Sequence, residues 1–213
     1  MSNEMPVSTI KMAMAPRYAR MISNIFHPWA MLVPTTAMTA CHVYKEPIEC
    51  TKWTVLALLP AFVFPFFYTL LRARAQSNGG IHQKVSRSLV RDDPGQLLIL
   101  TLLFGAPAIL ILLVLNSAPD LPIMFTGFTA VMLATALVNL RYRASFHISM
   151  ITSMQVALLF VYGPIGLVFI PLLPIIGLSR FKLGEHTLKQ ILAGLTIGIV
   201  VSGVVFLILG LGQ

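Results

Sequence analysis

The sequence predicts an all-α fold, a polytopic transmembrane helix bundle with six to seven spans. Composition is the first reason. Of 213 residues, 57% are hydrophobic and only 10% are charged, where soluble domains carry roughly 25% charge. The second is length: several apolar stretches approach or exceed the roughly 20 residues that cross a bilayer as a helix. The third is pattern. A membrane β-barrel needs short alternating segments, and these are absent. Backbone groups in lipid must bond within their own segment, which leaves helices.

The elements follow in order. Residues 1–27 form an N-terminal segment with Lys11, Arg17 and Arg20 among Met, Ile and Ala. It reads either as a helix lying on the membrane surface or as a partly disordered tail, and it lacks the pattern of a cleavable signal peptide. Residues 28–213 form the membrane-embedded domain, with spans expected at 28–44, 53–72, 96–116, 121–140, 146–162, 164–178 and 187–210. The first is short and interrupted by Pro34. The fifth and sixth join at Tyr162-Gly163-Pro164, a tight break that suits an antiparallel pair. The last carries Gly194 and Gly198 at the spacing that lets helices pack closely. Cys41 and Cys50 flank one short loop and are compatible with a disulfide. No CxxC or His/Cys cluster suggests a metal.

The net charge of +8 argues for membrane topology or a phosphate site rather than nucleic acid, because the basic residues sit in short loops between apolar segments. With seven spans, one face collects Lys11, Arg17, Arg20, Arg72, Arg74, Lys84, Arg87, Arg91, Arg141, Arg143, Arg180 and Lys182. The opposite face has Lys45 and Lys52, offset by Glu46 and Glu49. The positive-inside rule puts the basic face in the cytoplasm.

Three loops on that face carry chemical groups: Lys84 to Pro94, Arg141 to His147, and Ser179 to Gln190. In each, the polar residues are expected just before or at the start of a span. Helix N-termini present unpaired N–H groups and a partial positive charge, and so suit an anion. Three such termini with Lys84, Arg91 and Arg180 could hold one phosphoryl group. His147 and His186 could then divide the work of phosphate ester cleavage, one as nucleophile and one as acid. His27, His42 and His82 show no such pattern and read as interfacial or solvated.

These residues resemble the type 2 phosphatidic acid phosphatase superfamily of integral-membrane lipid phosphatases, marked by KxxxxxxRP, PSGH and SRxxxxxHxxxD. Lys84 and Arg91 keep the first spacing, with Asp92 in place of Pro. The second survives as Ala144-Ser145-Phe146-His147. The third is closest: Ser179-Arg180, His186 and Gln190 keep the spacing, with Gln in place of the last Asp. The resemblance covers about residues 50–210. It implies that His186 is the nucleophile forming a phosphohistidine, that His147 protonates the leaving oxygen, and that Lys84, Arg91, Ser145 and Arg180 bind phosphate. It also implies that Gln190 orients His186 and that no metal or other cofactor takes part. The expected partners are the bilayer and a lipid or isoprenoid mono- or diphosphate substrate, with a homo-oligomer or larger membrane complex left open. The Asp-to-Gln and Gly-to-Phe departures keep open a phosphotransferase or a degenerate lipid-phosphate binder. The spans and glycine packing by themselves also suit a structural subunit of a membrane complex or a small transporter.

Overall fold

A computed structural model of the chain describes residues 16–76 and 94–213. The described residues form helices α1 (Pro16–Ile25), α2 (Pro28–Val43), α3 (Pro47–Gln76), α4 (Pro94–Val114), α5 (Asp120–Asn139) and α6 (Phe146–Tyr162). A 3-10 segment (Gly163–Phe169), α7 (Leu172–Lys182) and α8 (Leu188–Leu209) complete them. No strand occurs among the described residues. Five stretches are long and apolar enough to cross a membrane: Pro47–Arg72, Gly95–Val114, Asp120–Asn139, Phe146–Phe169 and Leu188–Leu209.

The second expected span proves to be part of a longer helix, α3, that starts at Pro47. Proline suits a first helical turn, where its missing N–H has no partner to lose, and Glu49 in that turn favours the positive end of the helix. α2 runs through Pro34 without a break, which packed neighbours permit inside a bundle. The sixth expected span is divided. After α6 the chain reverses at Gly163, whose φ of 61° is open to glycine and strained for other residues. Gln155 Nε2 then donates to the Phe169 carbonyl at 2.6 Å. Fourteen residues of straight helix would separate those two by about 21 Å, so the 3-10 segment lies back along α6.

Within the bundle, α3 packs between α2 and α4, α5 between α4 and α8, and α6 against α2, α5 and α8. The main core threads aromatic rings across these contacts: Trp29 on Phe104 at 5.4 Å, Phe104 on Phe125 at 5.7 Å, Phe128 on Phe206 at 6.5 Å. In lipid this packing is held by van der Waals fit rather than by removal of apolar surface from water. That is why Phe64, Phe66, Phe67, Leu110 and Ile208 stay on the outside.

Glycines allow α6 and α8 to approach closely. A Cβ on Gly198 of α8 would stand 2.6 Å from the Thr152 Cβ and 2.7 Å from the Ser149 carbonyl oxygen of α6. Nothing lies within 4 Å of such an atom on Gly203. The close-packing pattern read from sequence at Gly194 and Gly198 is therefore an α6–α8 contact.

Two ends can be distinguished. At one, Cys41 and Cys50 form a disulfide across the α2–α3 turn, with Cα atoms 4.7 Å apart. Ala118 N–H donates to the Tyr44 hydroxyl at 2.6 Å, and Gly212 N–H donates to Asp120 Oδ1 at 2.8 Å. The other end carries His27, His147 and His186.

Candidate functional site

The histidine end rests on a small apolar cluster of Ile148, Ile151, Ile176 and Ile191, with Ile22, Phe26, Leu172, Leu173 and Leu195 packed against it. Its members alternate with the polar residues of interest. Ile22 precedes Ser23, Phe26 precedes His27, Ile148 follows His147, Ile191 follows Gln190, and Ile176 lies one turn before Arg180. The cluster thereby knits α1, α6, α7 and α8 under one polar surface.

The heads of α6 and α8 are tied by backbone. Ser145 N–H donates to the Gln190 carbonyl at 3.0 Å. Asn139, at the end of α5, accepts the Ala144 N–H on its side chain at 2.8 Å and shapes the approach to Ser145. Ser145 is the N-cap of α6, yet its hydroxyl caps no N–H. That hydroxyl is fully buried and has no hydrogen-bond partner. A buried polar group left so costs about 1–3 kcal/mol. Thr36, Thr152 and Ser153, deeper in the bundle, share the property, so it is not confined to this end.

α8 opens with a reciprocal cap. Thr187 Oγ1 accepts the Gln190 N–H at 3.4 Å, and Gln190 Oε1 accepts the Thr187 N–H at 3.0 Å. That second bond identifies which end of the Gln190 amide is oxygen. His186 Nδ1 lies 3.3 Å from the same oxygen. A carbonyl oxygen only accepts, so Nδ1 carries a proton, and in the neutral ring Nε2 then holds the lone pair. Gln190 thus sets the tautomer of His186 while capping its helix.

Arg180 departs from expectation. It sits in the last turn of α7, not ahead of a span, because the apolar face through Ile176 carries the helix to Lys182. A helix C-terminus presents carbonyls, so among the described residues the N-termini at this end belonging to motif residues are those of α6 and α8. Arg180 is only 8% exposed. Its Nη1 donates to Ser23 Oγ at 2.9 Å, and its Nη2 pairs with Glu185. Glu185 N–H in turn donates to the Arg180 carbonyl at 3.2 Å. Ser179 donates its hydroxyl to the Ile176 carbonyl within its own helix at 2.7 Å.

His147, His186 and Gln190 are partly buried. Ser145, His147, Arg180, His186 and Gln190 therefore share one end of the bundle. Lys84 and Arg91, with His82, lie outside the described residues. Sequence reasoning missed Ser23, Glu185 and His27. Glu185 adjoins His186 and could have been suspected as an Arg180 partner. Ser23 and His27 carry no local signal, because both reach the site only through the packing of α1 and the turn into α2.

The chain matches no family model, no curated protein and no solved structure.

Proposed function

We propose that this chain is an integral-membrane phosphatase that hydrolyses a lipid or isoprenoid mono- or diphosphate through a phosphohistidine on His186, without a metal. The observation that carries the reading is the Ser145–Gln190 backbone bond at 3.0 Å. It joins the helix head bearing His147 to the helix head bearing His186, from segments that are far apart in sequence. Nε2 of His186 attacks phosphorus, forming a P–N bond as the P–O bond to the lipid breaks. His147 gives its proton to the leaving oxygen. Water then attacks phosphorus, returns a proton to His147 and breaks the P–N bond, freeing phosphate. The Ser145 hydroxyl and Arg180, with Lys84 and Arg91, bind the phosphoryl oxygens, where preorganised donors stabilise developing charge.

The same reading gives the bundle seven crossings. On this reading α2 counts as one crossing, the chain from Phe146 through the 3-10 segment to the end of α7 counts as two, and the other four long stretches complete the seven. The site then faces the cytoplasm, as the basic residues favour, and the Cys41–Cys50 end faces an oxidising compartment, where disulfides persist. In intact cells, an impermeant maleimide is expected to label these cysteines only after external reduction. Labelling that needs permeabilisation but no reductant would reverse the orientation.

The central test is phosphate release by the purified protein in detergent with a chelator present. Substrates are phosphatidic acid, phosphatidylglycerol phosphate and short and long prenyl diphosphates, each beside His186→Ala. Release from the wild type and none from the variant is the expected result. Equal release from both would remove His186 from the chemistry.

One observation favours a second reading. Arg180 is already engaged by Glu185, so an incoming phosphate competes with a carboxylate. A lipid-phosphate binder without turnover fits that arrangement, and stoichiometric binding with no release from any substrate would establish it.

A further inference from the structure

His27 reads from sequence as an interfacial residue. The structure sets its ring against that of His147, with centroids 4.7 Å apart and planes at 87°. The two residues are 120 positions apart, and the contact arises because the α1–α2 turn closes over the head of α6. We propose that His27 is a positioning residue for His147, holding the ring that donates the proton to the leaving oxygen. This rests on the phosphatase reading.

The protonation of His27 follows from its second role. It is the N-cap of α2, where its Nδ1 accepts the Trp29 N–H at 3.4 Å. Nδ1 must therefore hold a lone pair, and the neutral ring carries its proton on Nε2. Two imidazolium rings this close would repel. The cap therefore assigns neutrality to His27 and leaves His147 as the member of the pair that takes and gives the proton. An edge-on contact between the rings further limits the rotation of His147. His27 exchanges no proton itself, so every bond made or broken remains as in the hydrolysis above.

Replacing His27 separates its two roles. His27→Asn keeps a strong N-cap acceptor and removes the imidazole, whereas His27→Ala removes both. With His27→Asn, melting in detergent is expected to match the wild type. Its kcat should fall about tenfold, the low end for losing a residue that orients a functional imidazole, with KM unchanged. In a His147→Ala background the same change should cause no further loss, because the residue acts only through His147. Wild-type kcat in His27→Asn, beside an inactive His186→Ala, would overturn this inference alone. A loss that adds in full to that of His147→Ala would also overturn it. No release from the wild type would overturn the phosphatase reading and this inference with it.

Discussion

Gln190→Glu is expected to raise kcat by about 10–100-fold, the range over which outer groups on functional imidazoles act. The substitution preserves length, so the oxygen that accepts the Thr187 N–H and meets His186 Nδ1 at 3.3 Å stays in reach. What changes is charge. In the proposed reaction the ring becomes cationic when Nε2 of His186 bonds to phosphorus, and a carboxylate at Nδ1 would stabilise it where an amide supplies only a dipole. The negative charge also lies at the α8 N-terminus, where the helix dipole favours it. Because the gain concerns the transition state, KM should change little. Gln190→Asp carries the same charge on a shorter arm and strains the cap, so it should gain less. Steady-state kinetics of the three proteins on the best substrate make the check. An unchanged or lower kcat in a folded Gln190→Glu protein would mean that Gln190 serves the cap and nothing else.

Gly194→Val is expected to destabilise the bundle by at least the ~1–3 kcal/mol typical of overpacking, and to abolish activity as well. A Cβ at this position would stand 2.5 Å from the Ser145 carbonyl oxygen and 3.4 Å from the Ile148 Cβ. A backbone oxygen cannot rotate aside as a flexible side chain can, so α6 and α8 must separate. The Ser145–Gln190 bond that joins the two helix heads lies at this same contact. Gly203→Ala provides the control, since its Cβ meets nothing within 4 Å and alanine favours helix by roughly 0.5–1 kcal/mol. Melting in detergent should fall for Gly194→Val and hold or rise for Gly203→Ala. A Gly194→Val protein with wild-type melting and turnover would show that the helix heads need not touch.

The two predictions differ in how far sequence alone could have led to them. The pairing of His186 with Gln190 was implied by the resemblance, which sets an orienting group four residues after the nucleophile; in the structure the two meet across the cap of α8 rather than along a helix face. Gly194 and Gly198 announced close packing, but the sequence did not say against which helix.

The sequence by itself determined the helical membrane class and the approximate position of most spans. It also marked the reversal at Gly163 and the polar residues now found at one end. Those properties depend on local composition, on periodicity and on the need of each backbone segment to bond internally in lipid. Tertiary structure alone decided which residues meet. It placed Arg180 on a helix C-terminus against Ser23 and Glu185, set His27 against His147, and tied Ser145 to Gln190. Except for Glu185, these partners come from segments distant in sequence, brought together by a four-isoleucine cluster whose members look like any other apolar residues in their own spans. An apolar helix offers lipid and protein nearly the same side chains, so its hydrophobic pattern does not single out the face that its neighbour covers. Packing makes that choice, and packing is a property of the whole bundle.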